Sequence, residues 1–376
     1  MSKIDITDIR KHFPITTHHK FFNHASTSPM PIDVVEAIRE FIEDIMNHGN
    51  MHERKWIRQV EKTREMYARL INADPEEIAF IKSTSQAISI ICKGLRFKRG
   101  ERILTADVEF PANIYPWMAM TPKGVEIKFV GAKDGRIDPK DIEKSIDPRT
   151  KIIALSLVEY GSGFRNYVEE VGEMCRKKGI FFYIDGIQGV GAIPVDVKKF
   201  KVDFMSTAAS KWLFGPQGVA ILYIRKDIID EVNYEEISWR SVIEEESRKG
   251  FKMESKGFAR KFEGDNANFA GIIGLGAALK FRENIGNNTI YRLLSKNVEI
   301  IFEELKRRKY HIFGPVSNSE RAGIIAVSHP DFSCEELVSK LLAENIIVSI
   351  RNNHLRISPH FYQTEDEIEF LFEVLP

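Results

Sequence analysis

Lys211 lies in the stretch VDFMSTAASKWLFGPQGVAILYI, residues 202 to 224, between two apolar runs of strand type. An amine held in apolar surroundings near another cation has a lowered pKa and attacks carbonyl carbon, which is Schiff-base chemistry. A lysine whose stem lies on apolar surface while its ammonium reaches water is the plain alternative. Three further stretches place complementary groups behind similar runs. Asp185 ends IFFYID, with Gln188 three residues on; a carboxylate there needs a buried cation or a protonated ligand nitrogen, or else it caps the following turn. Ser83, Thr84 and Ser85 follow IAFIK and lead into ISIICKGL, so they form either an ordinary helix N-cap or an anion seat at a helix N-terminus. Phe110 follows RILTADVE and is either core or a face on which a planar ligand stacks.

Singly, each stretch is ambiguous. Together, an aldehyde-capturing amine, an acid for a pyridinium nitrogen, a phosphate seat and a stacking aromatic are what pyridoxal 5′-phosphate (PLP) needs. The acid keeps the ring nitrogen protonated, and the lysine yields the aldehyde to an incoming amino group before serving as acid and base at Cα.

The elements that must position these groups are short β-branched or aromatic runs: residues 78–81, 102–106, 125–130, 151–158, 180–185, 202–206 and 219–224. They alternate with helix-period segments such as DPKDIEKSI and YVEEVGEMCRKKG, the second closed by Gly179, where a left-handed C-cap favours glycine. Such alternation predicts an α/β fold with a mostly parallel, seven-stranded sheet covered on both faces, whose ligands gather at the strands' C-terminal ends. HERKWIRQVEKTREMYARLI reads as a long amphipathic helix before the first strand. After a charged interruption at 241–257 come a glycine- and alanine-rich helix, a long charged helix from about Thr289 to Lys309, a βαβ-like tail and a last helix from Thr364. The division expected is a large domain of residues 16–255 and a smaller α+β domain formed by 1–15 with 256–376.

Composition narrows the partners. Lys+Arg 54 balances Asp+Glu 54, so no field of one sign recommends nucleic acid or a membrane surface. Cys92, Cys175 and Cys334 show no CxxC spacing, which argues against a disulfide framework or a structural zinc site and fits a reducing compartment. With no apolar leader and no continuous apolar stretch of about 20 residues, the chain reads as cytoplasmic. No metal is expected.

In order and content the motifs resemble the class V aminotransferases of PLP fold type I over nearly the whole chain. The resemblance is carried by FFNHASTSPMP (21–31), KSTSQAIS (82–89), VEFPANIYPW (108–117), YIDGIQGVGAIPVDV (183–197), SKWLFGPQGVAILYI (210–224), FEGDNANFAGIIGLGAAL (262–279) and HLRISPHFYQTEDEI (354–368). It implies that Lys211 bonds the cofactor aldehyde, Asp185 pairs with the pyridine nitrogen, and Gln188 lies near the ring hydroxyl. Ser83, Thr84 and Ser85 would hold the phosphate with Ser210 beside them, and Phe110 would stack on the ring where desulfurases usually carry histidine. Asn266 would reach the phosphate of the other subunit's cofactor, so a homodimer with shared sites is implied. Arg356 would pair with the substrate α-carboxylate, and Asn23 and His24 would line the substrate entrance. Departures are Ser210, where many relatives have histidine, and Tyr160, near a usual asparagine.

The resemblance leaves the reaction open among transamination with a 2-oxo acid, epimerisation at Cα, and β-elimination such as C–S lysis. Desulfurases of this class carry a nucleophilic cysteine on a loop before the carboxylate-binding arginine, and IIVSIRNNHLRIS is short and has none. Cys334 reads instead as the first turn of a helix. The expectation is an aminotransferase, with a desulfurase or C–S lyase-like or epimerase activity as the alternative. A PLP-binding regulatory dimer is the non-enzymatic reading, opposed by the intact lysine, aspartate and arginine. Arg165 and Arg351 would each serve a second carboxylate or form ordinary salt bridges.

Overall fold

The structure is a computed structural model, describing residues 5–233, 237–238, 241–242, 257–265 and 267–376. All seven apolar runs are strands of one sheet, each within two residues of its expected start and end. In spatial order they are Ile78–Ile81, Ala220–Ile224, Phe204–Ala208, Phe181–Asp185, Thr150–Ser156, Arg102–Ala106 and Glu126–Val130. Ala220–Ile224 runs antiparallel to both neighbours, and the other pairings are parallel. Side chains alternate between two cores on opposite faces: Leu104, Ile153, Phe182, Ile184 and Met205 join one, while Ile103, Ile152, Tyr183, Phe204 and Leu222 join the other. Burial of both faces is what continuous apolar runs require.

The expected helices form, among them Glu53–Ile71, Thr84–Gly94, Pro139–Ser145, Val168–Lys178, Phe269–Ile285 and Asn287–Arg307. Gly179 ends its helix at φ 65°. Phe269–Ile285 packs against Ile32–His48 and Glu53–Ile71, and its small residues allow close approach: a Cβ on Gly276 would meet Thr63 Oγ1 at 2.3 Å.

The C-terminal tail departs from a simple βαβ unit. It holds a four-stranded antiparallel sheet in the order Ser349–Arg351, His354–Ile357, Ile325–Ser328, His311–Phe313. The apolar run IIVSI (346–350) divides between two pairings, because Ile346–Ile347 pairs in parallel with Lys20–Phe21 and only Ser349–Arg351 turns back on His354–Ile357. The division expected at 255/256 falls outside the described residues. No described helix is long and apolar enough to cross a membrane.

Candidate active site

Parallel pairing sets three strand ends side by side, with Ser156 opposite Asp185 and Asp185 opposite Ser206. Asp185 is buried, and its Oδ1 accepts from the Ile187 N–H at 2.9 Å. It therefore caps the following turn, while no described donor reaches Oδ2. Burial pushes its carboxyl up to about 6, against the pull of the Ile187 N–H and the Lys211 ammonium.

Lys211 occupies the connection between the antiparallel strands Phe204–Ala208 and Ala220–Ile224. Gly215 N–H to Ala209 O at 2.8 Å and Phe214 N–H to Lys211 O at 3.1 Å close it, and Trp212, Leu213 and Phe214 are sunk in the core. Arg282 braces it from the Phe269–Ile285 helix, donating to Trp212 O at 3.0 Å and Gly191 O at 2.9 Å. Gly191 is required there, since φ is 98° and a Cβ would meet Trp212 O at 2.6 Å. Burial brings the Lys211 amine down to about 8; Asp185 opposes this, and Arg356 and Arg351 add to it. The amine is thus a base near neutrality rather than a snorkelling surface ammonium.

The Thr84–Gly94 helix opens beside this cluster. Ser83 is spent as its N-cap, its hydroxyl accepting from Gln86 N–H at 3.2 Å. Thr84 and Ser85 keep hydroxyls and backbone N–H groups free of described acceptors, so they, rather than the Ser83 side chain, form the anion seat. Phe110 is 45% exposed at its strand end, edge-on to Tyr160 at 5.0 Å, which suits stacking better than core. Gln188 is buried and tied, donating to Ala25 O at 3.0 Å and accepting from Trp212 Nε1 at 2.9 Å, so one amide hydrogen is left for a ring substituent. Ser210 is anchored through its carbonyl, which accepts from Ser28 N–H at 2.9 Å. Asn266 lies outside the described residues.

His24 is not at an entrance. It is fully buried, one ring nitrogen on Ser358 O at 2.9 Å and the other on the Tyr362 hydroxyl at 2.7 Å, and burial drives its pKa down to about 3. A neutral histidine locked between two partners is a packing residue. Asn23 stays near the site by accepting from Ser26 Oγ at 2.8 Å.

Ser349–Arg351 and His354–Ile357 form a two-residue hairpin whose turn residues Asn352 and Asn353 have φ 49° and 58°, the left-handed pair that asparagine tolerates. Its register places Arg356 opposite Ser349 and Arg351 opposite His354. Arg356 is 1% exposed, donating to Tyr160 O at 3.0 Å, Ser26 Oγ at 2.7 Å and Ser349 Oγ at 3.2 Å. No described carboxylate pairs with it, and burial with the nearby Arg351 brings its pKa down to about 9. A buried guanidinium so placed calls for an anion. Cys334 begins the Cys334–Ala343 helix behind the Ser333 cap, buried, its thiol donating to Asn353 O at 3.1 Å and its pKa raised by burial. The hairpin leaves no loop to carry a thiol to Lys211.

Sequence reasoning missed the groups behind the site. Glu109 accepts from Ser156 N–H and Oγ–H at 2.5 and 2.6 Å and from Asn113 at 2.8 Å, and burial raises it to about 7. Glu159 takes Asn166 Nδ2 at 2.7 Å and leaves Oε2 without a described partner; burial and then Glu109 hold it well above the carboxylate range. The signals were a glutamate after each of two apolar strands and the Glu109–Asn113–Trp117 spacing of four. Ser26 and Arg282 gave none, because their partners are distant in sequence. Asp44, His48 and His52 converge at the Ile32–His48 helix end, where both rings donate to Asp44 and Trp56 takes its other oxygen.

The donor set fits PLP: an amine with lowered pKa, a buried acid with one open oxygen, a helix N-terminus with free hydroxyls, and an exposed aromatic at a neighbouring strand end. The family model "Aminotransferase class-V" matches residues 20–371. A "Probable cysteine desulfurase" of Pyrococcus abyssi is 31% identical over 393 aligned residues, covering 98% of this chain and 96% of the relative. The "Uncharacterized aminotransferase YcbU" of Bacillus subtilis is 27% identical over 96% of this chain and 94% of its own. The apo structure of a cysteine desulfurase from Thermococcus onnurineus superposes with a TM-score of 0.90 at 29% identity, over 100% of this chain and 98% of that one. With Lys211 and Asp185 at the seven-stranded sheet and Arg356 on the C-terminal hairpin, the chain belongs to the aminotransferase class-V family and is a PLP-dependent enzyme.

Proposed function

We propose that this enzyme cleaves the carbon–sulfur bond of a sulfur-containing α-amino acid by β-elimination, without an enzyme thiol. The observation that carries the amino-acid part is Arg356: a buried guanidinium that no described carboxylate pairs with, in the electrostatic neighbourhood of Lys211. A bidentate α-carboxylate satisfies it and brings Cα toward the lysine. The sulfur part rests on the relatives named cysteine desulfurase. These favour C–S chemistry over the transamination expected from sequence, and the missing thiol favours elimination over sulfur transfer to the protein.

When bound, the cofactor supplies the electron sink that makes bonds at Cα labile. Asp185 would hold its ring nitrogen, Thr84 and Ser85 its phosphate, and Phe110 one ring face. Lys211, a base near pH 8, takes the Cα proton. The electron pair left at Cα forms the Cα–Cβ bond's second component as the sulfur leaves Cβ with its bonding pair. Arg356 keeps the carboxylate fixed throughout. The released enamine tautomerises and hydrolyses to pyruvate and ammonia, so the net change needs only water.

Purified enzyme given L-cysteine or L-cystine should form pyruvate; Lys211→Ala should form none. Conversion of amino acids and 2-oxo acids by amino exchange, with no pyruvate from cysteine, would return the function to transamination. We further propose a homodimer, supported by the exposed apolar residues Ile42, Ile45, Met46 and Ile57 on two adjoining helices and Met51 in the turn between them. A cytoplasmic setting is supported by the three cysteines, all buried and none in a CxxC spacing.

A further inference from the structure

The hairpin beside Lys211 carries two guanidinium groups where an ordinary α-amino acid needs one. Cross-strand pairing puts Ser349, Arg351, His354 and Arg356 on one face, so Arg351 is the diagonal neighbour of Arg356. Both reach the same hydroxyl: Ser26 Oγ lies 2.7 Å from Arg356 Nη2 and 3.4 Å from Arg351 Nη2. Beyond this, among the described residues Arg351 donates only to the Ile350 carbonyl, at 2.7 Å. The salt bridge that would make it an ordinary surface arginine is absent among the described residues. Neither guanidinium has an acid among the described residues, and Asp185, the acid facing Lys211, is assigned to the ring nitrogen. Like charges set diagonally on one sheet face repel, so the arrangement lacks two anions on this side of Lys211, and one α-carboxylate provides one.

We propose that Arg351 is a side-chain carboxylate subsite, making the substrate an α-amino acid with a second carboxylate. This rests on the reading of Arg356 as the α-carboxylate site. Two sources share that chemistry. A disulfide amino acid such as cystine brings its second carboxylate at the far end of a cleavable C–S bond, and aspartate or glutamate brings it on a short chain. Arg165 offers no comparable site, because no described hydrogen bond joins it to Ser26 or the hairpin and the charge acting on its guanidinium is that of Glu169.

The test uses holoenzyme and ligands that separate binding from turnover. α-Methyl-L-aspartate, α-methyl-L-glutamate and the neutral 2-aminoisobutyrate have no Cα hydrogen, so calorimetry reads their affinity whatever reaction the enzyme performs. L-Cystine and neutral S-methyl-L-cysteine are compared by kcat/KM for pyruvate. The inference expects at least one dicarboxylate to be preferred over its neutral counterpart by about tenfold to a hundredfold, the range of a charge-assisted hydrogen-bonded pair. Arg351→Gln should abolish that preference, and Arg351→Lys should restore part of it. Preference in the calorimetric arm identifies the short dicarboxylates, and preference in the kinetic arm identifies the disulfide. The inference is overturned if no dicarboxylate is preferred, if the preference survives Arg351→Gln, or if that variant loses PLP affinity instead, which would give Arg351 to the cofactor phosphate. Calorimetric preference without pyruvate from any sulfur amino acid would defeat the elimination reading and leave this one standing.

Discussion

At the scale of single residues, the site is a set of groups whose ordinary protonation is displaced by burial. Lys211 is lowered to about 8, so its free amine becomes abundant as pH rises through that value. Stripped of cofactor, the protein should therefore recapture PLP slowly near pH 6 and increasingly fast up to about pH 9, followed by absorbance; a flat profile would mean that the amine is not the titrating group. Arg356→Lys keeps a charge but loses the fork, and should cost kcat/KM about 10- to 100-fold, with Arg356→Gln costing more. Burial and then Glu109 shift Glu159 toward its neutral form, so Glu159→Gln, isosteric with the acid, should leave the thermal midpoint equal or higher. A fall of several degrees would show that its ionised form supports the fold. The placement of Lys211 and Asp185 was legible in sequence because each is a charged residue just behind an apolar run, whereas Arg356 came from the family resemblance alone. His24 misled for the opposite reason, since a polar residue in a motif can be wholly absorbed by packing.

Among elements, strand ends and one helix terminus set the geometry, and a second helix holds the lysine in place. The strands were readable as continuous apolar runs because both sheet faces are buried, a property that composition records locally. What could not be read is pairing: nothing local tells Ile346–Ile347 to join Lys20–Phe21 rather than continue into Ser349–Arg351. The Arg282 brace is likewise a long-range fact, linking one helix to the carbonyls of Trp212 and Gly191. Arg282→Met should leave both buried carbonyls without their donor and destabilise the protein by about 2–3 kcal/mol in denaturant unfolding. It should also weaken PLP retention, measured by dialysis. Unchanged retention would mean that the Lys211 connection is held by Trp212, Leu213 and Phe214 alone.

For the molecule as a whole, balanced charge and exposed apolar residues along the Ile32–His48 and Glu53–Ile71 helices suit association with a second copy. Light scattering should give twice the 43.2 kDa chain mass, and Ile42→Glu with Met46→Glu should shift it toward the monomer; a monomeric wild type would remove the homodimer proposal. The central claim is C–S cleavage by elimination with no enzyme thiol, and product identity tests it most directly. Given L-cysteine or L-cystine, the holoenzyme should yield pyruvate and ammonia in equal amounts, and Cys334→Ala should match the wild type. Alanine in place of pyruvate, or loss of turnover in Cys334→Ala, would contradict it.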